Sequence, residues 1–228
     1  MSLPDREQEL LTTLESINDT SLPYVLVGGW AITAFNQRFS TDVDLVVPKD
    51  AVEDYESFLS DQDYNRASEY DTNGIYEGQF IQYSKDVGNP VSIELMVNAL
   101  RCRQTEAEWS YRYLDQHAQS VTVGRTQSVH TRIPERELLL AIKLHSGRFT
   151  DARDVVAVAD DADFDRIEKH LHRGDPDALA EQLRTIDDQL TDGSFVDSFK
   201  GEFQQQTVPE GTIERVREFL ATQRDRLQ

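Results

Sequence analysis

Cysteine is nearly missing from this chain. Cys102 stands alone, which excludes a disulfide framework and a cysteine-based metal site. Lysine is scarce too: five of the 23 basic residues are lysines and the rest are arginines. No apolar run approaches the roughly 20 residues of a membrane-spanning helix. The first residues, MSLPDREQELLTTL, lack the basic, apolar, cleavable pattern of a secretory signal. Proline and glycine are not enriched, with 7 and 11 in 228 residues, and there is no repeat or low-complexity tract, so a folded chain is expected. These absences predict a soluble, cytoplasmic protein with no membrane partner.

Acid dominates what is present. The 42 Asp and Glu residues bring the formal charge to −19. One reading is a face for a cationic partner. The preferred one is that a uniformly acidic, lysine-poor surface resembles the proteins of salt-in halophiles. In molar salt the Debye length falls to about 3 Å and self-repulsion is screened. Either way, the charge disfavours nonspecific binding to nucleic acid, which favours basic surfaces.

Apolar residues make up 38% of the chain, enough for a real core. Leu10, Leu11, Leu14 and Ile17 have helical spacing, predicting a helix over 4–18. LPYVLVGG predicts a strand over 23–28, with a helix over 29–36 opening from the glycines. TDVDLVV is a second strand, followed by a helix from Asp50. RASEYDT and IYEGQFIQYS flank Asn73-Gly74, a strong hairpin signal. A further turn at Gly88-Asn89-Pro90 leads into VSIELMV. Residues 101–118 are expected to be helical and 120–133 to form a short hairpin. Beyond Pro134 the pattern predicts helices at 135–148, 151–160, 163–172, 176–190 and 209–226. The expected class is α/β: a mixed-sheet core over 1–133 and a helical region over 134–228.

Alternation along a strand puts Asp42 and Asp44 on one face, with Val43 and Leu45 on the other. Two carboxylates so placed can hold one divalent cation or bridge two, and hard oxygen ligands suit Mg²⁺ or Mn²⁺. The spacing alone is weak, because chance supplies about eight acid-x-acid pairs in so acidic a chain. Asp61/Asp63 and Glu106/Glu108 read as solvated surface. Asp42/Asp44 differ because they open a strand that continues as Leu45-Val46-Val47, where unpaired charge is costly. Gly28-Gly29, at a strand-to-helix turn, let backbone approach a ligand closely, and amides at a helix start favour phosphate. Together these parts suit phosphoryl or nucleotidyl transfer by two metals.

The stretch VGGWAITAFNQRFSTDVDLVV resembles the signature of the nucleotidyltransferase superfamily with the DNA polymerase β-type catalytic fold. Its form Arg38, Ser40, Asp42, Asp44, Leu45 is nearest that of minimal nucleotidyltransferases and abortive-infection toxin-like enzymes. The resemblance implies a third carboxylate on a neighbouring strand, and Glu94 in VSIELMV is the candidate, with Asp71 and Asp86 as fallbacks. The family usually has Asp there. Glu94 would help orient the metal and act as general base; alternatively it is a polar-face residue of a meander strand. The resemblance further implies phosphate contacts from Gly28, Gly29 and Ser40, with Arg38 offsetting triphosphate charge. ELLLAIKLHSGRFTDARDVVAV resembles the helical segment of the toxin-like branch. There Lys143 would meet a triphosphate; the competing reading is an ion-paired lysine, with Asp154 as partner.

The implied reaction moves a nucleoside monophosphate from an NTP to an acceptor hydroxyl. The acceptor is left open among an RNA end, a protein side chain and an aminoglycoside-like small molecule. A cognate antitoxin or a second copy of the chain stands as a further partner. Two rivals remain: a degenerate relative that binds nucleotide without turnover, and a toxin–antitoxin interaction protein. Trp30 reads as core ahead of base stacking, and the five histidines show no metal-ligand spacing.

Overall fold

The computed structural model describes residues 3–69, 79–125 and 127–227. The chain divides into two compact units, Met1–Arg101 with Trp109–Pro134, and Cys102–Glu108 with Glu135–Gln228. It is a mixed α/β protein with a mixed sheet and a helical C-terminal region.

In the first unit, helix α1 (Leu3–Thr20) precedes β1 (Val25–Val27), α2 (Gly28–Thr33), β2 (Asp42–Val47) and α3 (Val52–Asp61). Strands β3 (Asn65–Glu69), β4 (Phe80–Asp86) and β5 (Pro90–Val97) follow. The five strands form one sheet in the order β1-β2-β5-β4-β3. Only β2 and β5 run parallel; the other neighbours are antiparallel. β3 and β4 pair as the hairpin signal expects, although the Asn73-Gly74 turn lies outside the described residues. At the β4–β5 turn Gly88 has φ +88°, and its N–H donates to Asp86 Oδ1 at 2.8 Å.

Alternation sorts the sheet into two faces. Val43, Leu45, Ile81, Tyr83, Ile93 and Leu95 are buried on one. Lys85 lies on that same face and pairs with Glu9 of α1 at 2.7 Å, which places α1 over it. Leu10, Leu11, Leu14 and Ile17 of α1 are all buried, each contributing roughly 1.5–3 kcal/mol. The opposite face carries Asp42, Asp44, Gln82, Ser84, Ser92 and Glu94, all only partly covered.

Residues 101–118 are a correction. In place of one helix the chain forms β6 (Ala99–Cys102), β7 (Ala107–Ser110) and only a short α4 (Tyr111–Gln116). β7 buries Ala107 and Trp109 and exposes Glu108 and Ser110. A period of two over four residues is too short to compete with helical spacing in the surrounding sequence. Strands β8 (Ala118–Val123) and β9 (Val129–Pro134) form the expected hairpin, and β9 packs beside β1.

The second unit holds α5 (Arg136–Ser146), α6 (Phe149–Val158), α7 (Phe164–Leu171), α8 (Pro176–Leu190), α9 (Phe195–Phe203) and α10 (Thr212–Leu227). Gly147, at φ +64°, stops α5 in the left-handed conformation. Asp163 caps α7, and Asp175 caps α8 ahead of Pro176 at its first turn. α9 is unforeseen in the sequence pattern. Its Phe195, Phe199 and Phe203 recur every four residues and are buried, and the Phe199 and Phe203 rings meet at a tilt with centroids 4.8 Å apart. Among the described residues no helix is long and apolar enough to cross a membrane.

Candidate active site

Three carboxylates meet on the partly exposed face of the sheet. Asp42 and Asp44 project from β2, and the parallel register sets Asp44 opposite Glu94 and Asp42 opposite Ser92. Equivalent residues on paired strands lie on one face, so the third acid comes beside the first two without any local sequence link. Burial, and then the negative charge of Asp42, push the Glu94 carboxyl above its ordinary range. An interaction with the Asp44 side chain favours the ionised Glu94 carboxylate, but it is outweighed. Crowded carboxylates of this kind are costly when all are ionised, and a hard cation among them relieves the repulsion.

The glycines form the wall beside this cluster. Gly28 has φ +64°, and a Cβ there would lie 1.8 Å from Asp44 Oδ2. A Cβ on Gly29 would lie 2.5 Å from Ser40 Oγ and 2.9 Å from Arg38 Nη2. The β1–α2 corner therefore abuts the acidic face only because both residues lack side chains. β1 pairs with β2 through Val27 and Asp44, which aims the corner at that point. Gly28, Gly29, Arg38, Ser40, Asp42, Asp44 and Glu94 are thus brought together.

Ser40 is 7% exposed and donates from Oγ to Asp42 Oδ1 at 2.7 Å. Its hydroxyl is engaged with a carboxylate of the cluster, a contact beyond the phosphate role that the resemblance implies. Gln82 on β4 is a site residue the sequence reading missed. It pairs in register with Glu94, and its Nε2 donates to Glu94 Oε1 at 2.9 Å. Alternation put Gln82 on the polar face, but its partner depends on cross-strand register. The fallback Asp86 is exposed and occupied at the Gly88 turn, while Asp71 lies outside the described residues. Trp30 is 2% exposed and packs in the core. Asp61, Asp63, Glu106 and Glu108 are exposed.

Lys143 belongs to the second unit. It is buried on α5, with its ammonium 2.9 Å from Asp151 Oδ1 and 2.8 Å from Asp154 Oδ2. Asp151 also accepts from Ser146 Oγ at 2.6 Å and from Arg148 Nε at 2.7 Å. Burial alone would raise the Asp151 carboxyl, but Lys143, Arg148 and Ser146 together hold it well below the usual carboxylate range. The buried lysine charge is therefore neutralised within its own unit.

The donor set fits a divalent metal. Asp42, Asp44 and Glu94 offer hard oxygens on one face, and the bare Cα of Gly28 leaves the Asp44 carboxylate room that a Cβ would fill.

Neither a scan with protein-family models nor a search of curated proteins finds a match. Solved structures that the chain is similar to include the lincosamide antibiotic adenylyltransferase LnuA with lincomycin bound. There the TM-score is 0.47 at 14% identity, covering 67% of this chain and 95% of that one. JHP933 from Helicobacter pylori gives 0.49 at 16% identity, covering 99% and 93%. ANT(2'')-Ia in complex with adenylyl-2''-tobramycin gives 0.42 at 17% identity, covering 98% and 99%.

Proposed function

We propose that the first unit is the catalytic core of a nucleotidyltransferase that moves a nucleoside monophosphate from an NTP to an acceptor hydroxyl. The observation that carries this reading is the register of Asp44 with Glu94, two residues from Asp42, against the glycine corner at Gly28. It joins the residues on which the sequence resemblance to the superfamily rests.

In this reading Asp42, Asp44 and Glu94 hold Mg²⁺ or Mn²⁺. The bound ions would lower the charge barrier at the α-phosphate and its leaving pyrophosphate. Glu94 takes the proton of the incoming hydroxyl, whose oxygen bonds to the α-phosphorus as the bond to pyrophosphate breaks. Gly28, Gly29 and Ser40 are placed along the phosphates, and Arg38 offsets their charge. Ser40 also orients Asp42. Lys143 as a triphosphate contact rests on the resemblance alone, since Asp151 and Asp154 already account for its burial.

The test is calorimetric titration of each NTP in molar KCl, with and without Mg²⁺, on the wild type and on Asp42→Asn/Asp44→Asn. Metal-dependent binding lost in the variant is expected. Turnover is then followed as pyrophosphate release with an RNA end, a protein and an aminoglycoside as acceptors. Metal-dependent binding without turnover would favour the degenerate relative. No NTP binding at all would favour a toxin–antitoxin interaction protein and a search for its mate.

A further inference from the structure

Glu94 is one methylene longer than Asp42 and Asp44, which adds a rotatable bond between backbone and carboxylate. A ligand on a longer tether needs a second hold if it is to keep one position.

Gln82 supplies that hold. It sits directly across the antiparallel β4–β5 ladder from Glu94, so both side chains leave the same face of the sheet. Its Nε2 donates to Glu94 Oε1 at 2.9 Å. Glu94 also stands opposite Asp44 in the parallel β2–β5 register, so it lies between two neighbouring strands of the sheet. The donor is a neutral amide. A lysine or arginine at this position would neutralise Glu94 and compete with a cation, whereas glutamine orients the carboxylate and leaves its charge available. The flanking Ile81 and Tyr83 are buried on the opposite face and fix the strand that carries it. We propose that Gln82 is a positioning residue for the third carboxylate, acting on metal binding through Glu94.

The proposal rests on the metal-site reading, and Mn²⁺ affinity of the full-length chain separates the two. Free Mn²⁺ is titrated by electron paramagnetic resonance against the wild type, Gln82→Met, Gln82→Asn, Glu94→Gln, Asp42→Asn and Gln82→Met/Glu94→Gln. Thermal melting of each variant is recorded alongside. Gln82→Met keeps the length and removes the donor; Gln82→Asn keeps the amide but draws it back by one methylene. Both are expected to weaken Mn²⁺ binding about 10- to 100-fold, as loss of an outer partner does at other metal sites, with little change in melting. In the Glu94→Gln background Gln82→Met should add almost nothing, because its effect runs through that carboxylate. Wild-type affinity in both Gln82 variants, with Asp42→Asn and Glu94→Gln weakened, would overturn the role of Gln82 and leave the metal site standing. An equal loss with and without Glu94 would overturn it too. Undiminished affinity in Asp42→Asn and Glu94→Gln would remove the metal site, and the proposal with it. Should Gln82→Met fail to fold, Gln82→Asn decides the question.

Discussion

Gly28 and Asp44 touch so closely that no side chain fits between them: a Cβ on Gly28 would lie 1.8 Å from Asp44 Oδ2 and 2.6 Å from its Cγ. Gly28→Ala therefore has two costs. The left-handed backbone at φ +64° disfavours alanine by about 1–2 kcal/mol, and the Asp44 carboxylate must turn away. We expect a folded protein that melts roughly 2–8 °C lower and no longer binds Mn²⁺. Calorimetry of melting and of metal titration checks both.

The carboxylate cluster should behave as a site kept at some expense of stability. Glu94 has its folded pKa raised above the unfolded value, so its stabilising contribution is complete below the unfolded value. That contribution disappears as pH rises through the folded one. Above that range, without metal, Glu94→Gln should melt no lower than the wild type. Its transfer rate should nevertheless fall about 100-fold or more. Asp44→Asn should abolish Mg²⁺-dependent activity with the fold intact. Melting curves in chelator, paired with pyrophosphate release, test these expectations.

Lys143 sits between two buried aspartates, so removing its charge strands them. Lys143→Met is expected to destabilise the chain by about 3–5 kcal/mol, the range for breaking a buried ion pair. Lys143→Met/Asp154→Asn should recover part of that loss, because Asp151 keeps Arg148 and Ser146. Urea denaturation gives the numbers. A Lys143→Met protein that unfolds with the wild type yet loses NTP affinity would instead support a triphosphate contact.

His145 is fully buried in the second unit. One ring nitrogen meets Thr105 Oγ1 at 2.7 Å and the other the Leu171 carbonyl oxygen at 2.7 Å. Thr105 can donate to Nδ1 while Nε2–H donates to the carbonyl, so the neutral ring is satisfied at both ends. Burial, the largest influence, lowers its pKa to about 4. The unfolded chain binds this proton near pH 6.5 and the folded one does not, so stability present above 6.5 is lost as pH falls toward 4. The loss amounts to about 3 kcal/mol. His145→Gln should flatten that part of the stability–pH curve, measured by denaturant titration at half-unit steps.

Much of the fold was legible because its signals are local. The glycine pair ended a strand and opened a helix, Gly88-Asn89-Pro90 turned one strand into the next, and Asp175-Pro176 started α8 where expected. Residues 101–110 misled because β6 and β7 are each four residues long. α9 was missed because its three phenylalanines at every fourth position follow Gly193 closely and share the helix with Gly201, and their burial depends on neighbouring helices.

The sequence by itself determined that Asp42 and Asp44 share a strand face, that glycines occupy the adjoining corner, and that Glu94 lies in a strand. Alternation and turn chemistry act over a few residues, so a linear reading can follow them. Only the tertiary structure decided that Glu94 stands opposite Asp44, that Gln82 holds Glu94, that Ser40 serves Asp42, and that Lys143 is matched by both Asp151 and Asp154. Those pairings come from strand register and helix packing, which are fixed by burying whole faces. A one-residue slip of β5 against β2 would leave the local sequence unchanged and turn Glu94 to the opposite face.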